Sequence, residues 1–415
     1  MGGSHSQSPL KSQFSETKPS SDQDEDSYGA TYQNGSVLPP NEPKSQPFES
    51  TKFREPYELA GYLATHFGDH EFADFILRVR TEDAVLLTLP VHGVVVARSP
   101  LIALAIRKAL TSAPQSKDTR PLVDILIHDK YITPEAVNET LKVLYGGPLL
   151  SDQPFLYGLG PFHPDGEATP AFHQARNRMS QVISYAAAGK FFGLPSMVER
   201  GVQLIKSLLR WDTFDMAISF ALESTLNQRK PADRMFSGST STPEDYFVGR
   251  LLNQDVIDFI AYHFPISFKL HTIAPEMKST PRLPIVAERP SHNPRLSRIR
   301  FGDVPASDEL DPNYVIRALS TVLLTLPLPL LDRLLNHPAV VNQIGWKEVG
   351  RIMQDVVGER ERRRQKALKG VEADPDVSRY SKSLVENLVW EERVEPSPKH
   401  TSGYTLLEAR LADRA

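Results

Sequence analysis

The chain has 415 residues, 40% of them hydrophobic and 24% charged, with a formal charge of -4. That length allows two or three folded units with a sizeable core, and the charge is too near balance to draw the whole molecule onto nucleic acid or an anionic membrane. There is no cysteine, which excludes disulfides, thiolate nucleophiles and Cys-type zinc sites.

Residues 1–53 are rich in Ser, Gln, Pro, Asp and Glu and poor in aliphatics. Such a segment buries too little surface to offset the entropy of ordering, so a disordered tail is expected. It also lacks the apolar centre of a secretion signal. The longest apolar stretch, Tyr314 to Leu331, is interrupted by Arg317, Pro327 and Pro329. A membrane span needs ~20 mostly apolar residues, so none is expected. These features fit a cytoplasmic or nuclear protein, or one found in both places.

Apolar periodicity begins at Tyr57. Tyr57 to Phe67 predicts an amphipathic helix. Phe75, Leu77 and Val79 alternate with Arg78 and Arg80, and Val85, Leu87, Leu89 and Val91 alternate likewise. Thr81-Glu82-Asp83 between them reads as a hairpin connection. Ser99-Pro100 has the form of an N-cap with proline in the first helical turn. Leu122 to Ile127 predicts a third strand with Asp124 at its middle. Thr133-Pro134-Glu135 opens a helix whose buried stripe is Val137, Leu141 and Leu144. Tyr145-Gly146-Gly147-Pro148 stops it.

Ser151 to Arg178 is rich in Gly, Pro and His and reads as an inserted loop, 151–178. Helical spacing returns with Ile183, Ala187 and Phe191, then with Val198, Val202, Ile205 and Leu209. Beyond Trp211 only helices and loops are expected. A helical extension, 211–271, carries stripes at Phe214, Ile218 and Ala221 and at Leu252, Val256 and Phe259. A Pro-rich basic linker over the surface, 272–311, comes next. A helical region, 312–369, has stripes at Val315, Leu319, Val322 and Leu326 and at Val349, Ile352 and Val356. The last part, 370–415, reads as a polar tail with a weak helix near Leu384 and Leu388.

The order helix, strand, strand, short helix, helix, strand, helix, loop, helix pair resembles the BTB/POZ domain. The matching residues are Ala73-Asp74-Phe75, then Leu89-Pro90-Val91-His92 leading into Gly93 to Pro100, with Ser99 at its end. They continue with Val123-Asp124-Ile125, with Tyr131 to Ala136, with Leu144-Tyr145-Gly146-Gly147, and with Ala186 to Leu194. The resemblance covers 54–210, the insertion set aside. It implies an α+β fold, a small sheet covered by helices, with no catalytic site and no cofactor. It also implies protein partners, commonly including a second copy bound through the first helix and strand. Many members are adaptors of cullin-type ubiquitin ligases, and others are transcriptional co-regulators. The helices after Trp211 loosely resemble a BACK-type extension, and the chain as a whole is similar to fungal BTB proteins with helical C-terminal halves.

Two departures bear on that reading. Asp74 is present, but Gly93 stands where many members place the basic residue of a charged dimer pocket. From Leu101 to Val123 there is no Glu, so the hydrophobic-x-Glu element of cullin-binding members is missing.

The remaining candidates have simpler readings. Asp74 and His92 are expected to satisfy nearby backbone, the first at a strand start and the second as a helix cap. His66 and His70 have metal-ligand spacing, but Gly68-Asp69 between them points to a helix end, and no metal is expected. Leu331-Asp332-Arg333-Leu334-Leu335 fits an LxxLL interaction motif, whose spacing is also that of a buried helix face. The basic run with Arg362, Arg363 and Arg364 reads first as a solvated helix end and otherwise as a nuclear-import or nucleic-acid contact. No phosphate-binding loop, dinucleotide fingerprint, nucleophile elbow or zinc-protease motif is present. The expectation is an interaction scaffold or adaptor; the alternative is a nuclear co-regulator acting through the run near Arg362.

Overall fold

The computed structural model describes residues 56–112, 120–162, 170–226, 243–285, 314–374 and 376–410. All belong to one unit, Arg54–Ala415. The expectation of a disordered 1–53 falls outside the described residues, as does most of the linker expectation for 272–311.

The fold is mixed α+β with a small three-stranded sheet and many helices. Helix α1 (Pro56–Thr65) precedes β1 (Phe75–Arg80) and β2 (Val85–Val91). Two helices, α2 (Gly93–Val96) and α3 (Pro100–Ser112), then lead to β3 (Leu122–Leu126). The sheet order is β2-β1-β3, with β1 antiparallel to β2 and parallel to β3. A parallel neighbour needs a crossover connection, and α2 and α3 provide it. Alternation works as expected in β1 and β3. Phe75, Leu77, Val79, Val123 and Ile125 are buried. On the other face Asp124 accepts from Arg78 Nε at 2.8 Å and Arg80 Nε at 3.0 Å. These cations outweigh partial burial and hold the Asp124 carboxyl below its ordinary range.

Strand β2 departs from the expected pattern. Val85 is exposed, and Leu87 and Leu89 are only half-buried. The register shifts between Val79 and Arg80, so Arg80 pairs with Val85 instead of continuing the alternation. As an edge strand, β2 also has a neighbour on one side only.

Helix α4 (Pro134–Leu144) starts as predicted, with the Ala136 N–H donating to Thr133 Oγ1 at 3.3 Å. Gly146, at φ 88°, ends it; a Cβ there would lie 2.9 Å from the Ala60 backbone, so the turn sits directly on α1. The segment 151–178 is not a plain loop. It holds α5 (Gln153–Leu156), with Phe155 buried, and α6 (Pro170–Phe192) begins inside it. Arg178 donates to the carbonyls of Phe155 and Tyr157 at 2.8 and 2.7 Å, fixing the segment through polar contacts that apolar periodicity does not reveal. Helix α7 (Pro195–Ser207) crosses α6 closely, because a Cβ on Gly201 would meet Ala186 Cβ at 2.6 Å.

Helices α8 (Phe214–Leu226), α9 (Pro243–Tyr262), α10 (Tyr314–Thr325), α11 (Leu328–Leu335), α12 (Pro338–Ile344) and α13 (Trp346–Glu372) follow. Phe214, Ile218, Ala221, Leu252 and Val256 are buried, as their spacing predicts. One hydrophobic cluster runs from Phe75 to Leu406 and so joins the sheet to the helical half. The described start of the expected linker packs rather than lying over the surface. Ala274, Met277 and Leu283 are buried, and the Met277 N–H donates to Thr325 Oγ1 at 2.9 Å.

The expectation of helices and loops alone beyond Trp211, ending in a polar tail, is overturned. A short helix, α14 (Lys382–Glu386), does form near Leu384. It is followed by an antiparallel hairpin, β4 (Trp390–Pro396) and β5 (Tyr404–Arg410), that packs on α13 and α11. The inward position of β4 is Glu392, 7% exposed, so the strand lacks the apolar alternation by which strands are recognised.

Candidate interaction surface

The motif residues Asp74, His92 and Tyr145 meet where β1, α2 and the end of α4 converge. The Gly93 N–H donates to Asp74 Oδ1 at 2.6 Å. The His92 N–H donates to Tyr145 Oη at 2.9 Å, and His92 Nδ1 lies 2.8 Å from the same oxygen. His92 Nε2 is 2.7 Å from the Glu71 carbonyl. A carbonyl only accepts, so Nε2 carries the hydrogen, and in a neutral ring Nδ1 accepts from the tyrosine hydroxyl. Every polar atom in this chain of bonds then has a partner. Burial raises the Tyr145 hydroxyl above its ordinary range, opposed by the His92 N–H.

Asp74 therefore acts as expected, on backbone. His92 does not: its side chain makes no cap to α2 and ties α4 to the start of β1 instead. Ser99 does more than cap. Its Oγ donates to the Phe192 carbonyl at 2.6 Å, linking α3 to the end of α6. Gly147 is required by space, since a Cβ there would sit 2.8 Å from the Lys142 carbonyl. The same reasoning explains Gly93, where a Cβ would lie 2.5 Å from the Phe75 ring; a basic side chain has no room. His66 and His70 lie beyond the end of α1 and share no helix face.

Around this knot lies an apolar surface that sequence reasoning did not single out. Leu59 and Tyr62 on α1 are each 61% exposed, Phe72 78% and Val94 84%. The stretches that carry Tyr62, Phe72 and Val94 meet at two histidines. Tyr62 stacks edge-on against His66, centroids 4.7 Å apart, and His66 lies 6.0 Å from His92. His92 in turn binds the carbonyl of Glu71, next to Phe72, and stands two residues before Val94. Phe72 also adopts φ 57°, a region that bulky residues rarely occupy.

The other two candidate sets lie in the helical half. Leu331, Leu334 and Leu335 are fully buried, so the LxxLL spacing is core packing. The expected solvated helix end is only part of the picture: α13 continues to Glu372 with Lys369 in its last turn, and Arg362, Lys366 and Lys369 are exposed while Arg360 and Arg364 are buried. Arg360, 1% exposed, makes a two-pronged pair with Glu392 at 2.6 and 2.7 Å and donates to the carbonyls of Leu323 and Leu326 at 3.0 and 2.8 Å. Arg364, equally buried, binds Glu361 and the Leu388 carbonyl. Arg362 and Arg363 both pair with Glu359, and Arg363 also donates to the carbonyls of Thr272 and Ala274. Arg282 lies beside Glu392, 3.3 Å away. Burial, with Arg360 close by, pulls its guanidinium down to about 10. The acids that interrupt the run in sequence are thus its counter-ions in space, and one more comes from β4.

No family model, curated protein or solved structure matches this chain. Among the described residues there is no group of three or more His, Asp or Glu placed to hold a metal, and no helix long and apolar enough to cross a membrane.

Proposed function

We propose that the chain is a protein–protein interaction scaffold or adaptor built on a BTB/POZ-type domain, which pairs with a second copy of itself and presents its helical half to another protein. In this reading it has no catalytic site and takes no cofactor. The order of elements from α1 to α7 supports it, being the order on which the sequence resemblance rests. The observation that carries it is the exposed surface of Leu59, Tyr62, Phe72 and Val94 around α1 and α2. Large exposed apolar side chains grouped on one surface mark interaction sites, and the stretches carrying Tyr62, Phe72 and Val94 meet at His66 and His92. The alternative, a nuclear co-regulator using the basic run, gains nothing from the geometry, because of Arg362, Arg363 and Arg364 only Arg362 is mostly exposed.

Self-association is read by sedimentation of the full chain. We expect a dimer that dissociates in the micromolar range, and a monomer for the double variant Leu59→Asp, Tyr62→Asp. Both side chains are exposed, so the variant should melt as the parent does. A parent that stays monomeric at about 100 µM removes the reading.

Cullin binding is expected to be weak. Leu101 to Val123 supplies no Glu, and losing one central anchor of an interface costs ~2 kcal/mol or more, tens-fold in affinity. Calorimetric titration of the full chain against a cullin N-terminal region decides it. A sub-micromolar dissociation constant would show that other contacts replace the missing acid.

A further inference from the structure

Helix α3 has two unlike sides. Ile102 and Ile106 are buried in the core shared with β3. Away from them Leu104 is 66% exposed with Arg107 and Lys108 exposed on either side of it, and Leu110, 57% exposed, lies at the border with the buried side. At about 3.6 residues per turn, Leu104, Arg107, Lys108 and Thr111 are neighbours, and Leu110 borders Arg107. Leu104, Arg107 and Lys108 therefore share the outer face, and Leu110 stands at its edge.

Among the described residues, none is seen to neutralise that face. Neither α2, α3 nor α6, the helices packed together here, contains an acidic residue. Asp124 of β3 points to the opposite face of the sheet, where Arg78 and Arg80 hold it. Among the described residues no hydrogen bond or ion pair reaches the side chains of Arg107 or Lys108. A salt-bridged surface helix would intersperse both signs; this one offers two leucines and two cations that have no partner among the described residues.

We propose that the outer face of α3 docks an acidic amphipathic segment of a partner protein. Apolar side chains of that segment cover Leu104 and Leu110, and its carboxylates meet Arg107 and Lys108. The proposal rests on the reading of the chain as an interaction module and supplies the chemistry of its partner, at a face other than the one assigned to self-association. Charge complementarity selects the occupant. Nucleic acid would use the cations but leave both leucines uncovered, and two cations are a small electrostatic footprint. A membrane surface needs a polybasic cluster or a long apolar face, and α3 has neither.

The test uses the full chain and a fluorescent synthetic peptide of about 20 residues, with leucine at positions i, i+3, i+4 and i+7 and glutamate on the flanks. Anisotropy should show saturable micromolar binding that weakens with salt. The charge reversal Arg107→Glu, Lys108→Glu should weaken it about tenfold, and Leu104→Asp by about tenfold or more. A peptide with lysine in place of glutamate should prefer the charge-reversed chain to the parent. The proposal is overturned by no saturable binding up to about 1 mM, by equal affinity of parent and variants, or by tighter binding to phosphatidylserine-containing vesicles or single-stranded RNA than to the peptide. Sedimentation separates this face from the other. The α3 variants should still self-associate, and the Leu59→Asp, Tyr62→Asp chain should still bind the peptide, so either reading can fail alone.

Discussion

Glu392→Ala is expected to destabilise the protein by about 3–5 kcal/mol, the usual cost of leaving a buried charge without its partner. Arg360 is 1% exposed and Glu392 7%. Both prongs of the pair are within 2.7 Å. With the carboxylate gone, Arg360 keeps the carbonyls of Leu323 and Leu326 but loses its counter-ion, and Arg282 loses one as well. Glu392→Gln keeps one acceptor oxygen and should cost less. Urea unfolding at neutral pH measures both. A loss below about 1 kcal/mol for the alanine variant, within the range of exposed pairs, would mean that the hairpin does not dock through this contact.

The same pair predicts a pH dependence. Burial alone would raise the Glu392 carboxyl. The Coulombic pull and hydrogen bonds of Arg360, with Arg282 and Arg364 behind it, outweigh burial and hold it below its ordinary value of 4.5. A depressed carboxyl contributes stability that is present above that ordinary value and lost as pH falls through its lower folded value. The parent should therefore lose urea resistance faster on acidification than Glu392→Gln does.

What could be read in the sequence was whatever local chemistry decides. Strand β1 needs only alternation, and Phe75, Leu77 and Val79 supply it. Helices α3 and α4 announce themselves through Ser99-Pro100 and Thr133-Pro134, residues whose caps and fixed proline φ act within one turn. The structural role of Asp74 was legible because a carboxylate at a strand start has few other uses.

What stayed hidden depends on partners far along the chain. Glu392 looks like a surface residue until Arg360, 32 positions earlier, is placed beside it. Arg178 makes α5 and the chain around it regular, yet neither its charge nor the Gly and Pro content nearby says so. Strand β2 follows a pairing shift that no periodicity shows. The exposed surface at Leu59, Tyr62, Phe72 and Val94 is assembled from three separate stretches, and His92 joins them through a bond to a backbone carbonyl that has no signature in sequence.

Leu331→Ala is expected to cost about 2–5 kcal/mol, as large-to-small changes do in a well-packed core. Leu331, Leu334 and Leu335 have no solvent exposure. The wall around them is not free to collapse into a cavity. On one side Asp332 Oδ1 accepts from the Leu406 N–H at 2.8 Å and pins β5 to α11. At the end of the helix the Asn336 side chain accepts from Ser402 Oγ at 2.5 Å. A docking motif would behave in the opposite way: its leucines would be exposed in the free protein, and alanine would remove a partner while sparing stability. Arg333, exposed in the middle of the same five residues, is the internal control, and Arg333→Ala should stay within about 0.5 kcal/mol of the parent. Denaturant unfolding with an unchanged slope is the measurement. If Leu331→Ala is as stable as Arg333→Ala, α11 is not part of the core. Since a native protein of this kind has only about 5–15 kcal/mol of stability in total, the double variant Leu331→Ala, Leu334→Ala should populate the unfolded state without denaturant.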